Sequence, residues 1–422
     1  MPDERGGTLR QIIWHDVFPW LSLLRAVRLA AAPRLVLLAA LGLALTAGGW
    51  RGIGWAFSGS EDPTAQAWLL DDQKLPWETQ SYSPSETLDF HPLNNPIIRS
   101  AEWLCRPFVR IFDRAAGVTP IVYSLLCGLW VLAVWSAVGG AITRIAAVAL
   151  ARDDRLGFVG GLKFGVRKWP SFFFAPLVPF SAVFVLLVLG WIGGLLLKWN
   201  VSALVVAIFW PILLAICLGV AVLLLGLLFG WPLIWPTIST EGTDSFDGLS
   251  RSYSYTFQRP LYYLFFVLVA GVLGALAALI AWLLADWTIS LSWWAVSWGT
   301  GVERMNELTM ARIAPESAEG LLSAVGRVLE FWNGCVMLLA LAYVYSYFWT
   351  SVTRIYFLLR QRVDGTELDE VAIEESESEE TYGLPKLSPD ESGMPRVDEP
   401  AAPSSSAPPP APKPPDAPAA PK

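Results

Sequence analysis

The sequence predicts an all-α protein, a polytopic transmembrane helical bundle of about six spans with interfacial amphipathic helices and a disordered C-terminal tail. Three observations carry that prediction. Hydrophobic residues make up 54% of the 422 and charged residues 16%, a balance displaced from soluble proteins in the direction that long lipid-facing segments produce. Six apolar runs are long enough to cross about 30 Å of hydrocarbon, which takes roughly 20 residues of helix. From Val363 onward there are 14 Asp and Glu against 4 Lys and Arg, a balance of −10, which leaves +3 for the rest of a chain of net charge −7. The acidity therefore belongs to the tail.

Residues 1–34 read as a cytoplasmic interfacial segment, because Ile12, Ile13, Trp14, Val17, Trp20, Leu21 and Leu24 recur at helical steps beside Arg10, Arg25 and Arg28. Residues 35–362 read as the transmembrane domain. Its spans are expected at Leu35–Phe57, Ile121–Ile142, Ser171–Leu197, Pro211–Trp235, Leu261–Ala285 and Phe331–Thr353. The loop at about 58–120 holds a second amphipathic stretch, in which Ile97, Leu104, Phe108 and Ile111 accompany Arg99, Arg106, Arg110 and Arg114. Basic residues before the first span, after the second and after the sixth fall on one side if the spans number six. By the positive-inside rule that side is the cytoplasm of a bacterial inner membrane, with both termini inside. The loop arginines stand against the rule locally.

The run Val201 to Ile238 exceeds one perpendicular crossing at about 1.5 Å per residue. Pro211, Pro232 and Pro236 are the expected helix breaks, since each lacks an amide hydrogen and crowds the preceding turn. Pro176 and Pro179 near the start of the third span are expected to break it at a similar depth, and two facing breaks would open a cavity. Asp286 to Trp298, with four tryptophans, reads as interfacial. The tail, 363–422, is acidic and then Pro/Ala-rich, and cannot bury enough apolar surface to offset its chain entropy.

Two stretches share one plan. DDRLGFVGGLKFGVRKWPSFFF, from Asp153, and DSFDGLSRSYSYTFQRPLYYLFF, from Asp244, each run from acidic residues through a helical stripe to a proline and an aromatic approach to the membrane. In the second, Phe246, Leu249, Tyr253 and Phe257 form the stripe and Arg251 and Arg259 lie off it. In the first, Val159, Leu162, Val166 and Trp169 do so beside Lys163, Arg167 and Lys168, with glycines weakening the helix. Both read as membrane-surface helices, acidic at the N-cap and snorkelling basic residues toward anionic headgroups. Over about Asp153 to Ala285 this pattern loosely resembles the membrane domain associated with glycerophosphodiester phosphodiesterases and related multi-pass bacterial membrane proteins. The resemblance implies surface helices before pairs of spans and no catalytic residue, because that family's catalytic domain has no counterpart in this sequence.

The sequence is poor in chemistry. Spans two to six carry no ionisable residue in their expected interiors, which disfavours proton-coupled transport. Four cysteines offer no metal or disulfide spacing, and His15 and His91 are the only histidines. The best acid/base cluster, Asp89-Phe-His-Pro-Leu-Asn-Asn-Pro96 with Glu86, lacks a nucleophile or a phosphate cradle. Gly190xxxGly194 and Gly226xxxGly230 would admit close helix packing. The expectation is a non-enzymatic scaffold or membrane-organising protein, without catalytic residues, metal or cofactor. Its partners would be the lipid bilayer, anionic headgroups, and a membrane protein or second copy of the chain, with no nucleic acid. The alternative is a permease or lipid-handling transporter that uses the Pro-broken helix ends.

Overall fold

The computed structural model describes residues 18–79, 95–314 and 319–372, with 387–389 and 395–397. It divides into two units, Met1–Val371 and Ala372–Lys422. Helices are the only regular secondary structure among the described residues of the first unit. After a 3₁₀ turn, Pro19–Ser22, come α1 (Leu23–Ala30), α2 (Pro33–Phe57), α3 (Pro63–Asp72), α4 (Pro76–Thr79), α5 (Pro96–Arg110), α6 (Val118–Arg152) and α7 (Phe158–Arg167). There follow α8 (Trp169–Leu196), α9 (Asn200–Glu241), α10 (Ser245–Gln258), α11 (Pro260–Thr300), α12 (Val302–Ile313) and α13 (Leu321–Val363). Six of these, α2, α6, α8, α9, α11 and α13, are long and apolar enough to cross a membrane.

Local sequence sets the boundaries. Asp62 accepts from the amides of Thr64 and Ala65 to start α3, Asn95 accepts from Ile97 to start α5, and Asp244 accepts from Phe246 and Asp247 to start α10. Gly242 ends α9 in the left-handed region at φ 67°. The start of α2 and the ends of α6, α9 and α13 meet at one end of the bundle, the base, tied by Arg34 to the Leu156 carbonyl at 2.9 Å, Lys168 to the Gly242 carbonyl at 2.7 Å and Tyr255 to Asp364. At the opposite end Tyr123 of α6 bonds Asp72 of α3 at 3.1 Å. An aromatic column forms the core between them. Trp135 stacks on Tyr345 at 5.3 Å, Trp235 on Trp349 at 4.5 Å, and Trp50 leans on Trp103 at 4.6 Å.

The expected helix breaks are not breaks. Pro176 and Pro179 lie inside continuous α8, and Pro211, Pro232 and Pro236 inside continuous α9. A proline frees the carbonyl four residues back, and in a helical bundle neighbours can bond it. The indole N–H of Trp235 donates to the Phe172 carbonyl at 3.1 Å, the group that Pro176 leaves free. Tyr263 donates to the Phe229 carbonyl at 2.7 Å in the turn before Pro232. Asp286 to Trp298, expected at the interface, forms the last part of continuous α11, with Trp287, Trp294 and Trp298 exposed.

Two further expectations change. Amphipathic α5, expected to skirt the bundle at the interface, packs its Trp103 and Leu104 into the bundle core. The stretch from Asp364 to Val371 packs on the bundle. Val371 is buried with Ala146, Ala147, Leu150 and Phe357, and its carbonyl accepts from Arg152 at 3.1 Å. In the second unit Leu387–Pro389 pairs antiparallel with Pro395–Val397, Ser388 opposite Arg396; an isolated two-stranded pair is marginal in water. The other residues expected to be disordered lie outside the described ones.

Candidate functional site

The base is where the two similar stretches converge, and its chemistry is built from their helices. Neither helix lies apart on the surface. After α6 ends at Asp153, whose φ of 56° is unusual for a side-chain-bearing residue, the chain doubles back and α7 climbs along α6. Gly161 and Gly165 make that contact: a Cβ on Gly165 would fall on the Ala137 carbonyl oxygen. Of Gly157, Gly160 and Gly161, the glycines expected to weaken this helix, Gly161 alone lies on the docking face, where Gly165 joins it; Gly157 faces open space and Gly160 only the Leu156 side chain. After α9 ends at Gly242, α10 climbs along α9 in the same manner, with Ser252 donating to the Gly230 carbonyl and Tyr253 seated over Gly226. Gly226xxxGly230 thus packs within the chain, whereas Gly190 and Gly194 face open space.

The predicted stripes divide accordingly. Phe246 is 67% and Phe257 50% exposed, as a lipid-facing stripe requires, but Leu249, at 8%, is covered by protein, and Tyr253 donates to the Leu223 carbonyl at 2.7 Å. Burial raises the Tyr253 phenol to about 12. In the first stretch Val159 and Val166 are exposed while Trp169 turns inward to the Ala133 carbonyl at 2.8 Å. Lys163 and Arg167 are exposed. Lys168 instead caps α9 through the Gly242 carbonyl, where a cation suits the negative end of a helix. Arg259 forms the non-helical joint between α10 and α11 at φ −135°, ψ 56°. The N-cap expectation holds for Asp244 alone. The first cap is Gly157, because Asp153 terminates α6 and the Asp154 carboxylate accepts from the Arg155 amide.

Two buried polar knots lock these helices down. At the first, Arg144 of α6 donates to the Ser239 carbonyl at 2.8 Å and lies 4.6 Å over the Phe164 ring of α7, and Thr143 bonds the Ser239 hydroxyl. At the second, the Glu241 carboxylate pairs with Arg251 of α10 at 2.7 Å and Arg360 of α13 at 3.5 Å, and Tyr356 donates to it. Partial burial is the largest single influence on Arg251 and favours its neutral form, but the Glu241 charge together with Tyr255 and Tyr356 outweighs it and holds the guanidinium more strongly protonated. The Tyr255 phenol is raised by burial and by its bond to Asp364. Arg360 also reaches the Glu370 carbonyl at 2.6 Å.

At the opposite end, Arg110 pairs with Asp72 at 2.7 Å and Arg106 with Asp71 at 2.7 Å, while Arg110 sits 5.2 Å from the Trp68 ring centre. Burial pushes the Asp72 carboxyl above its usual value, against the pull of Arg110, Tyr123 and Arg106. Two of the four loop arginines that stand against the positive-inside rule, Arg106 and Arg110, are therefore neutralised within the protein.

Sequence reasoning missed Arg144, Glu241, Tyr356 and Arg360. One signal pointed to Glu241: from Trp169 to Thr240 the only charge is Lys198, so this carboxylate closes an apolar run alone. Of the acid/base cluster, Glu86, Asp89 and His91 lie outside the described residues, as does His15. Asn95 serves as a cap and donates to the Gly271 carbonyl at 3.0 Å. Among the described residues no group of three His, Cys, Asp or Glu could hold a metal. The knots can resist separation of helices; the one carboxylate among them, Glu241, is consumed by ion pairs with Arg251 and Arg360. No family model, no curated protein and no solved structure matches the chain.

Proposed function

We propose that the protein is a non-enzymatic scaffold of a bacterial inner membrane, with both termini in the cytoplasm and the base at the inner leaflet. The observation that carries the reading is the pair of returning helices. α7 and α10 each fold back on the span before them and are pinned by the Arg144 and Glu241 knots, which makes the base a rigid plate from which the apolar α8–α9 hairpin rises. The side chains of Trp191, Leu204, Ile208 and Leu218 on that hairpin are exposed, a surface suited to lipid or to another membrane protein. Its likeness to the membrane domain beside glycerophosphodiester phosphodiesterases fits a role as anchor or platform.

A second reading, handling of a lipid, is favoured by one feature. An apolar pocket of about 330 Å³ lies beside Pro176, lined by Leu104, Phe108, Phe180, Leu224 and Trp231. It suits an acyl chain better than a polar solute. The carbonyl freed by Pro176 is already taken by Trp235, which argues against an ion site there.

Reporters fused after Met1, after Arg362 and within 82–92 test the orientation. Activity of a cytoplasmic reporter at both termini, and of an exported one in the loop, is the expected result. A loop reporter on the same side as the termini would overturn the span count and the scaffold reading with it.

A further inference from the structure

The base also carries charge that its own partners leave unanswered. Arg25, Arg28, Arg34 and Arg155 line a cleft of about 610 Å³ between α1, the start of α2 and the end of α6, with Asp153 and Asp154. Asp153 is engaged by Arg25. Arg34 gives one N–H to the Leu156 carbonyl, but its Nε is buried without a partner, and its charge lies near that of Arg155. Behind Arg25, outside the residues that line the cleft, is Arg354 of α13. It is 4% exposed, its Nε has no partner, and its charge lies near that of Arg25. Like charges brought together repel, most where solvent screens them least, as at Arg354, and an anion that joins them relieves the repulsion. Guanidinium groups, as planar forks, match phosphate oxygens in pairs.

The surroundings indicate which phosphate. Leu41 and Leu45 follow Arg34 at intervals of seven and eleven residues, close to the same face of α2, with Leu37 beside them, and all three are exposed. An apolar track therefore starts where the basic cleft ends. We propose that this cleft binds the phosphate of an anionic glycerophospholipid, with an acyl chain laid along Leu37, Leu41 and Leu45. The lipid assignment rests on the reading that the base meets a leaflet; recognition of phosphate by the arginines does not depend on which leaflet that is.

The test uses the full chain in nanodiscs of phosphatidylcholine mixed with phosphatidylglycerol, with bound lipid read by native mass spectrometry. Wild type should retain phosphatidylglycerol preferentially. Arg28→Gln with Arg155→Gln, which removes two exposed arginines, and the triple variant that adds Arg34→Gln should weaken that preference. The triple should lose on the order of tenfold, the factor set by about 1.4 kcal/mol. Lys163→Gln with Arg259→Gln, which removes two basic residues of the same end outside the cleft, should lose less of it than either cleft variant. Equal preference in wild type and both cleft variants, or equal loss in the Lys163/Arg259 control, would overturn the proposal. Detergent-solubilised protein is then titrated with inorganic phosphate. Arginine-dependent thermal stabilisation by phosphate without any phosphatidylglycerol preference would assign the cleft to a soluble phosphate and overturn the lipid. Because the nanodisc presents both lipids on both faces, a failed topology experiment leaves this result readable.

Discussion

Glu241 shows how one residue can set the architecture around it. Its side chain is 8% exposed and faces Arg251, Arg360 and the Tyr356 hydroxyl, which come from two other helices. Removing one member of a buried ion pair costs about 3–5 kcal/mol, mostly because the partner charge stays buried. Arg251 is nearly half exposed, so solvent screens part of that penalty, and Glu241→Gln should destabilise by about 2–3 kcal/mol. The same substitution beside Arg360→Gln should cost less than the two single changes added together, since it removes the uncompensated cation. Unfolding midpoints of the four proteins in one detergent measure this coupling. Strict additivity would mean that the carboxylate and Arg360 do not act together.

At the scale of elements, helices here are governed less by their own sequence than by the surfaces they meet. The prolines of α8 and α9 carry a clear local signal for interruption, yet both helices continue, because the decision rests on whether a freed carbonyl finds another donor. Trp235 is that donor for Phe172, and it comes from a residue 63 positions away. Nothing in the local pattern around Pro176 could have indicated it. Gly161 of α7 follows the same logic: propensity describes an isolated helix, whereas a Cβ at this position would strike the Ile145 side chain of α6. The six long helices and the Asp244 cap were legible, since hydrophobic length and a capping side chain are local properties. Trp235→Phe keeps the ring stacked on Trp349 and removes only the N–H, leaving the Phe172 carbonyl unpaired. It should cost about 1–3 kcal/mol. In a Pro176→Ala background, where the helix can bond that carbonyl itself, the cost should fall. An equal loss in both backgrounds would separate Trp235 from the proline.

For the whole molecule, length is the property that needs explaining. α9, α11 and α13 have 42, 41 and 43 residues, about 60 Å each at 1.5 Å per residue, roughly twice a hydrocarbon core of about 30 Å. For a helix that crosses a bilayer, much of that length would lie outside the lipid tails, and the two ends of the bundle differ in how much protein covers it. At the base, Thr237 to Thr240 of α9 and Ile355 to Leu359 of α13 are fully buried within the protein, under the knots of Arg144 and Glu241. At the far end of α11, Trp287, Leu291, Trp294 and Trp298 are exposed and no protein layer covers their side chains. Protection of backbone hydrogen bonds follows burial and local packing. Amide exchange of the full chain in nanodiscs should consequently be slowest along Thr237–Thr240 and Ile355–Leu359, although both stretches extend past the apolar runs, and much faster along Trp287–Trp298, although that stretch is equally helical. The reverse order would mean that the bilayer protects the far end of α11 and that the base is a loosely closed assembly, so the Glu241 and Arg144 knots could not be what holds the returning helices in place.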